Sequence, residues 1–280
     1  MHEKQYKREV SKIAPHPDLI NQTKVAMLAE MCTNANSPVN SKNKEKPTMK
    51  KSTFRRFGTV AAAFIAVMLF ASTAFAAWYL LRPSDVADRV GNTTLSAAFE
   101  SDTAININSQ VVSGENIITL LAVVSGQDIT DHPIYSNTGE ILHDRTYAVL
   151  AIQNVDGSPM PMPASDEFVP FTVSPFVRGV CTLRINAFTM YGGGTSMIYD
   201  GVMYILTDFS DVTMFADMGV YLGVNAGIGM GAILDAFDFD QDSGEIALNS
   251  GFEGANAIFH LPLDVSLADP VRAGEFLDGM

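Results

Sequence analysis

The segment Phe57–Leu81, FGTVAAAFIAVMLFASTAFAAWYLL, contains 25 residues and no charged side chain. At about 1.5 Å per residue, a helix of this length measures about 37 Å, which exceeds the roughly 30 Å hydrocarbon core of a bilayer. Residues 57–81 are therefore predicted to form one transmembrane α-helix with the lipid bilayer as partner. Trp78 and Tyr79 stand near its carboxyl end, where aromatic residues anchor spans at the interface.

Basic residues concentrate on the amino side of this segment. Arg55 and Arg56 adjoin it, and three lysines lie between positions 46 and 51. On the carboxyl side, Arg82 and Arg89 alternate with acidic residues. Because positively charged flanks stay in the cytoplasm, we expect a single-pass protein of the cell membrane, with its amino terminus cytoplasmic and its carboxyl-terminal domain extracytoplasmic.

The net charge differs between the two sides. Residues 1–56 contain 12 basic and 5 acidic residues, a net charge of +7, whereas residues 82–280 contain 6 basic and 26 acidic residues, a net charge of −20. The two sum to the −13 of the whole chain. Such asymmetry indicates two compartments. The acidic outer domain would repel nucleic acid, which is excluded as a partner.

A second interpretation concerns cleavage. Ala74, Phe75 and Ala76 form a small-x-small pattern after an apolar run, so residues 49–76 alone would pass for a secretory signal peptide. The apolar run continues to Leu81, and 48 residues precede Met49, which favours a retained anchor. The mass of the mature protein distinguishes the two.

Residues 1–32 are predicted to be a cytoplasmic segment of short amphipathic helices. Asp18 is a suitable N-cap for the second helix, whose apolar face would bind a partner because two short helices bury little area by themselves. The predicted partner-binding residues are Leu19, Ile20, Met27, Leu28 and Met31. Residues 33–56 are polar, basic and aperiodic, and are predicted to be a flexible tether.

Residues 82–280 are predicted to be mainly β, an antiparallel immunoglobulin-like β-sandwich. Two small helical pieces precede a hairpin whose strands meet at Ser113–Glu115, and a further helix is expected near Leu267–Leu277. Thr146–Asn154 has apolar residues on both faces of a strand, which indicates a central buried strand. Thr182–Met190 and the segment AILDAFDFD, residues 232–240, are also predicted to be strands.

Catalytic and metal-binding motifs are weak throughout the sequence. Asp238–Glu245 resembles a calcium loop, but an EF-hand needs Gly at its sixth position and an acid at its twelfth, where this chain has Ser243 and Asn249. A β-hairpin is the favoured alternative. Cys32 and Cys181 are expected on opposite sides of the membrane, so we expect no disulfide within the chain. We predict neither an enzyme nor a cofactor.

Small residues also recur within the predicted span. Gly58, Ala62 and Ala66 repeat at four-residue intervals, the spacing that lets membrane helices pack closely. Since eight of the 25 residues are Ala, chance also accounts for the spacing. A weak homodimer through this face is the corresponding prediction.

Several segments together resemble a known family. They are SKIAPHPDLINQTKVAML (Ser11–Leu28), the span ending in ASTAFAAWYLL, LSAAFESDTAININ, DRTYAVLAIQN and LPLDVSLADP. The chain is similar to single-pass membrane proteins of Gram-positive bacteria that carry an outer domain of unknown function and are anti-sigma-factor-like in organisation. The resemblance implies a cytoplasmic motif that holds a sigma factor and an outer domain that senses the envelope. The His and Cys cluster of zinc-containing anti-sigma factors is missing here.

Two functional hypotheses follow. In the first, the chain is a transmembrane regulator whose cytoplasmic segment holds a sigma factor until an outer event releases it. In the second, the outer domain is an envelope binding or structural module, and the cytoplasmic tail only sets topology.

Overall fold

The computed structural model describes Ala26, residues 80–136 and residues 138–279. Within the smaller of its two units, Pro38–Arg82, it describes only residues 80–82, which form no regular secondary structure. Among the described residues, no helix has the length and apolar character needed to span a membrane. The predicted span lies outside the described residues except for Leu80 and Leu81, so that prediction is not tested here.

The larger unit, described from Pro83 onward, is mainly β with antiparallel sheets. A five-stranded sheet has the order β1-β2-β3-β6-β5, a three-stranded sheet has the order β10-β7-β4, and β8 and β9 form a separate hairpin. The strands are β1 (Ile105–Ser113), β2 (Asn116–Gln127), β3 (Asp144–Asn154), β4 (Phe171–Val177), β5 (Gly193–Tyr199), β6 (Val202–Ser210), β7 (Val220–Ala226), β8 (Phe237–Phe239), β9 (Ile246–Leu248) and β10 (Asn256–Leu261).

Few helices accompany these strands in the described part of the chain. They are α1 (Pro83–Arg89), α2 (Thr93–Phe99), α3 (Met230–Ala236) and α4 (Pro270–Asp278), with single 3₁₀ turns at Thr213–Phe215 and Val265–Leu267. The two helical pieces predicted before the first hairpin, that hairpin itself and the carboxyl-terminal helix are confirmed.

The core forms where the two sheets share one cluster of buried apolar side chains. Leu150 on β3, Phe209 on β6 and Leu222 on β7 are each fully buried in it. The central strand β3 has buried residues at every position from Arg145 to Ile152, so both of its faces are covered. The apolar alternation of this segment therefore predicted its position correctly.

Helices α1 and α2 contact the five-stranded sheet at β6 and β2, respectively. Asn92 caps α2 by accepting a hydrogen bond from the Leu95 amide at 3.1 Å, and its side-chain amide donates to Thr130 Oγ1 at 2.7 Å. Asp131 accepts a hydrogen bond from the Thr93 amide at 2.6 Å and also from Thr94. The loop after β2 is thus fastened to the start of α2.

Thr182–Met190 is not a strand, and the prediction was wrong there. Asn186 is fully buried; its side-chain amide donates to the Thr182 and Leu183 carbonyls, while its Oδ1 accepts from the Phe188 and Thr189 amides. One side chain satisfies four backbone groups locally, so this backbone does not need strand pairing.

Residues 232–240 were predicted to be one strand, but their first half is helical. Helix α3 begins after Gly229, whose φ of 93° suits glycine. Ile233 and Ala236 pack with Phe176 and Phe237 in a second apolar cluster. The strand prediction holds only for Phe237–Phe239, in β8.

Cys181 is buried and disulfide-bonded. From the sequence we expect no disulfide within the chain, and the residue bonded to Cys181 is not among the described residues. The expectation depended on the predicted topology and not on any property of the side chain. Cys32, the only other cysteine of the sequence, lies outside the described residues.

Candidate functional site

Strand β5 forms one edge of the five-stranded sheet, and among the described strands it pairs only with β6. The two strands are joined by Asp200 and Gly201, whose φ angles of 48° and 77° are those of a type I′ turn. In such a hairpin the residues that flank the turn, Tyr199 and Val202, form two backbone hydrogen bonds with each other. Every second residue of β5 before Tyr199 also bonds to β6, and the residues between them do not. The N–H and C=O groups of Gly194, Ser196 and Ile198 therefore point away from β6.

The same three residues of β5 also face the interior between the sheets. Ile198 packs against the main core, and Ser196 is in register with Ile205 of β6. Beside Gly194 and Ser196 lies a cavity of about 280 Å³, which we call the edge cavity. The Ser196 side chain is small, and Gly194 has none; a Cβ on Gly194 would lie 2.9 Å from the Leu206 carbonyl oxygen of β6. The edge cavity is mainly apolar, with Phe168, Phe171, Val173, Phe188, Met203 and Ile205 in its wall.

A second and larger depression, the loop cavity, lies at the far end of β3. Its volume is about 550 Å³. Three carboxylates, those of Glu115, Asp156 and Glu167, belong to its lining, and none of the described residues in that lining is basic. The Ser158 amide donates to Asp156 Oδ1 at 2.9 Å, and the hydrogen bonds from Ser158 lower the pKa of this exposed carboxyl group.

The segment Glu167–Phe171 separates the two cavities. Phe171 lines both of them, while Glu167 and Val169 line the loop cavity and Phe168 lines the edge cavity. The Pro170 carbonyl accepts a hydrogen bond from the Gly227 amide at 2.7 Å, which attaches the segment to the end of β7. An apolar hollow and an acidic hollow thus lie on either side of one short ridge.

Large apolar side chains remain exposed around both cavities. Phe188 is 56% exposed beside the edge cavity, and Val169 is 50% exposed at the loop cavity. Exposed apolar residues beside a cavity are a feature of binding grooves. The arrangement suits binding of an elongated molecule rather than enclosure of a compact one.

A buried ion pair positions the entrance of β5. Arg145 is 1% exposed; its Nε donates to Asp208 Oδ2 at 3.1 Å, and its Nη2 donates to the same oxygen and to the Tyr191 carbonyl. A Cβ on Gly193 would lie 3.1 Å from Asp208 Oδ1. The pair therefore holds the chain on both sides of Gly192, directly before β5. Arg145 Nη1 has no hydrogen-bond partner in the described part of the chain.

The loop at Asp238–Glu245 is the predicted β-hairpin. Phe237–Phe239 pairs with Ile246–Leu248, and Gly244 has a φ of 71°. Asp240 Oδ1 accepts from the Asp242 and Ser243 amides, which lower the pKa of this carboxyl group. Over residues 80–136 and 138–279, no group of His, Cys, Asp or Glu side chains is arranged to hold a metal ion.

All site residues predicted from the sequence lie outside the described residues. These are the partner-binding Leu19, Ile20, Met27, Leu28 and Met31, the interface residues Arg55, Arg56, Trp78 and Tyr79, and the small residues Gly58, Ala62 and Ala66. From the first of these stretches the structure describes only Ala26, which is helical and exposed. Their proposed roles stay predictions.

The edge of β5 and its cavities were not predicted. The sequence GGTSMIY combines glycines, small polar residues and no charge, which is a weak indication of an unprotected edge strand. No family model, no curated protein and no solved structure matches this chain.

Proposed function

We propose that the chain is a single-pass membrane regulator that is anti-sigma-factor-like in organisation, with an extracytoplasmic domain that acts by binding rather than by catalysis. One observation carries the proposal: the uncharged stretch Phe57–Leu81 separates a head of net charge +7 from a body of net charge −20. A bilayer between the two would explain the apolar stretch and both charge imbalances together.

The anchor is tested by the mass of the mature protein. A retained helix predicts the intact 280-residue chain in the membrane fraction. A product that begins at Ala77 and is found in the culture medium would contradict the anchor.

The topology has an independent test at the cysteines. If residues 1–56 are cytoplasmic and residue 181 is outside, the sulfur bonded to Cys181 must come from an extracytoplasmic thiol. Peptide mapping under non-reducing conditions identifies the bonded peptide. A peptide that joins Cys181 to Cys32 would place both cysteines in one compartment and overturn the proposed orientation.

The regulatory role requires that the amphipathic segment bind a cytoplasmic sigma factor. Full-length protein extracted in mild detergent should retain that factor, and Ile20→Asp together with Met27→Asp should release it by charging the apolar face. The matched control is Thr33→Asp with Asn36→Asp, in the tether. Equal retention by both pairs, or no captured factor, would contradict the regulatory role.

For the outer domain, we propose an immunoglobulin-like β-sandwich. The support is the strand order: β2-β3-β6-β5 in one sheet and β10-β7-β4 in the other correspond to the A-B-E-D and G-F-C orders of constant-type domains. Strand β1 would be an addition at one edge, and the β8–β9 hairpin an insertion before the last strand. Cross-strand proton contacts measured by NMR test the order; a β4 strand paired with β3 would contradict it.

The second hypothesis, an envelope binding module, is favoured by a different observation. The open β5 edge and its adjoining cavities lie in the outer domain and need no cytoplasmic partner to act. Removing residues 1–32 separates the hypotheses, because a binding module keeps its outer activity and a regulator loses its effect on transcription.

A further inference from the structure

We infer that the β5 edge binds an extended polypeptide strand of another protein, one with apolar side chains at alternate positions and with basic residues. The strand would add to the five-stranded sheet beside β5, place its apolar side chains in the edge cavity and bring a basic side chain to the loop cavity. This inference concerns the outer domain alone and depends on the proposed function only for the compartment in which the partner is met.

Backbone geometry gives the first step. The outward N–H and C=O groups of Gly194, Ser196 and Ile198 repeat at every second residue, which is the spacing that an added antiparallel or parallel strand satisfies. No backbone or side-chain hydrogen bond to these outward groups exists among the described residues. The strand itself has no charged residue, no proline and no bulge, the devices that normally block edge pairing.

The edge cavity gives the second step, because it continues the same surface. In an added strand, alternate side chains point toward the gap between the sheets. That gap exposes Phe168 and Phe188 and is lined by Val173 from β4. A strand with Val, Ile or Leu at alternate positions would fill this gap, and a strand with polar residues there would leave apolar surface uncovered.

Charge identifies the partner. Glu115, Asp156 and Glu167 surround the loop cavity without a basic neighbour in its lining, and residues 82–280 carry a net charge of −20. Two copies of this body would repel each other, whereas a basic strand would be attracted. Basic polypeptide is therefore favoured over a second copy of the chain.

The experiment uses the full-length protein in detergent micelles and a fluorescent seven-residue peptide that alternates Val and Lys. We expect binding that increases fluorescence anisotropy and weakens with salt. A peptide that alternates Val and Glu should not bind. Binding of both peptides to the same extent, or of neither at millimolar concentration, would overturn the inference.

Two variants locate the binding surface. Ser196→Pro removes an outward N–H that β6 does not use, so it should weaken binding at least tenfold. Glu167→Gln should weaken it about two- to fivefold, as expected for an exposed charge pair. The matched control is Glu140→Gln, which changes an exposed carboxylate near the opposite end of β3. If Ser196→Pro binds the Val–Lys peptide with unchanged affinity, the peptide is attracted by charge without pairing with β5.

Hydrogen exchange on the wild-type protein keeps the inference falsifiable even if Ser196→Pro fails to fold. Bound Val–Lys peptide should slow exchange in Gly193–Tyr199 and leave Ile105–Ser113 unchanged. If the bound peptide slows exchange equally in both strands, the inference is overturned. It is also overturned if sedimentation detects a dimer without peptide and hydrogen exchange in β5 is slowed in that dimer.

Discussion

The two edges of the five-stranded sheet, β1 and β5, differ in how they are protected. Strand β1 carries an irregularity in its pairing between Asn106 and Ser109, with Asn108 at a φ of 50°. Its end is also joined to the other sheet, because Ser113 Oγ accepts from the Asn256 amide at 2.9 Å. Strand β5 is regular along its whole length. A bulge and a cross-sheet bond obstruct pairing at one edge, and the described part of the chain has neither at the other.

The difference shows which part of β5 is held in place and which part is open. Strand β5 itself carries no charged residue or proline, but its entrance is fixed by the buried Arg145–Asp208 pair. The edge is thus open and well positioned at once, which suits a docking strand because little ordering is needed on binding.

The largest expected effect comes from removing the buried pair. Asp208→Ala leaves the Arg145 guanidinium, 1% exposed, without its counter-charge, and should lower the free energy of unfolding by about 3–5 kcal/mol. Urea unfolding of the full-length protein measures it. The control is Glu245→Ala, which removes the half-exposed partner of Arg178 and should cost less than about 1 kcal/mol. Similar losses in the two variants would contradict the assigned role of Asp208.

Proline scanning of β5 gives the next largest effect. Thr195→Pro removes an N–H that pairs with β6, and leaves the opposing carbonyl unpaired, so it should cost about 1–3 kcal/mol. Ser196→Pro removes an outward N–H and should cost clearly less. The two variants differ by one position, which makes each the control of the other. A larger loss for Ser196→Pro would reverse the assignment of outward groups.

A charge on the open edge should have a smaller effect on stability. Thr195 is exposed and its side chain lies on the outer face of β5. Thr195→Lys should change the free energy of unfolding by no more than about 0.5 kcal/mol, yet it should suppress aggregation during refolding because lysine blocks edge pairing. Light scattering at equal concentration measures this. Val112→Lys, on the β1 edge, is the control and should change aggregation less.

The sequence predicted the elements whose local pattern is strong. The two-sided apolar run of β3, the Ser113–Glu115 hairpin and the glycine at position 244 are short-range features, and each was placed correctly. The strand prediction for Thr182–Met190 failed because the hydrogen bonds of one buried side chain, Asn186, outweighed the apolar alternation. No alternation pattern reveals such a side chain.

The candidate site escaped prediction for a different reason. Arg145 and Asp208 are 63 residues apart, and the edge cavity exists only because two sheets leave a gap between β4 and β5. Which strand lies at an edge depends on the pairing order of the whole sheet, and that order is a long-range property. Charge, in contrast, is a sum over the sequence, so the acidity of residues 82–280 could be predicted.

The smallest expected effect concerns Asp131, which fastens the loop after β2 to the start of α2. Hydrogen bonds from Thr94 and Thr93 lower the pKa of this exposed carboxyl group from 3.8 to about 2. Because the pKa is lowered in the folded state, the contribution to stability is complete above pH 4 and is lost as the pH falls through about 2. The amide resonances of Thr93 and Thr94, followed by NMR, should titrate with a midpoint near pH 2. Asp131→Asn should abolish that titration, whereas a midpoint near pH 4 would mean that the carboxylate does not bind the start of α2.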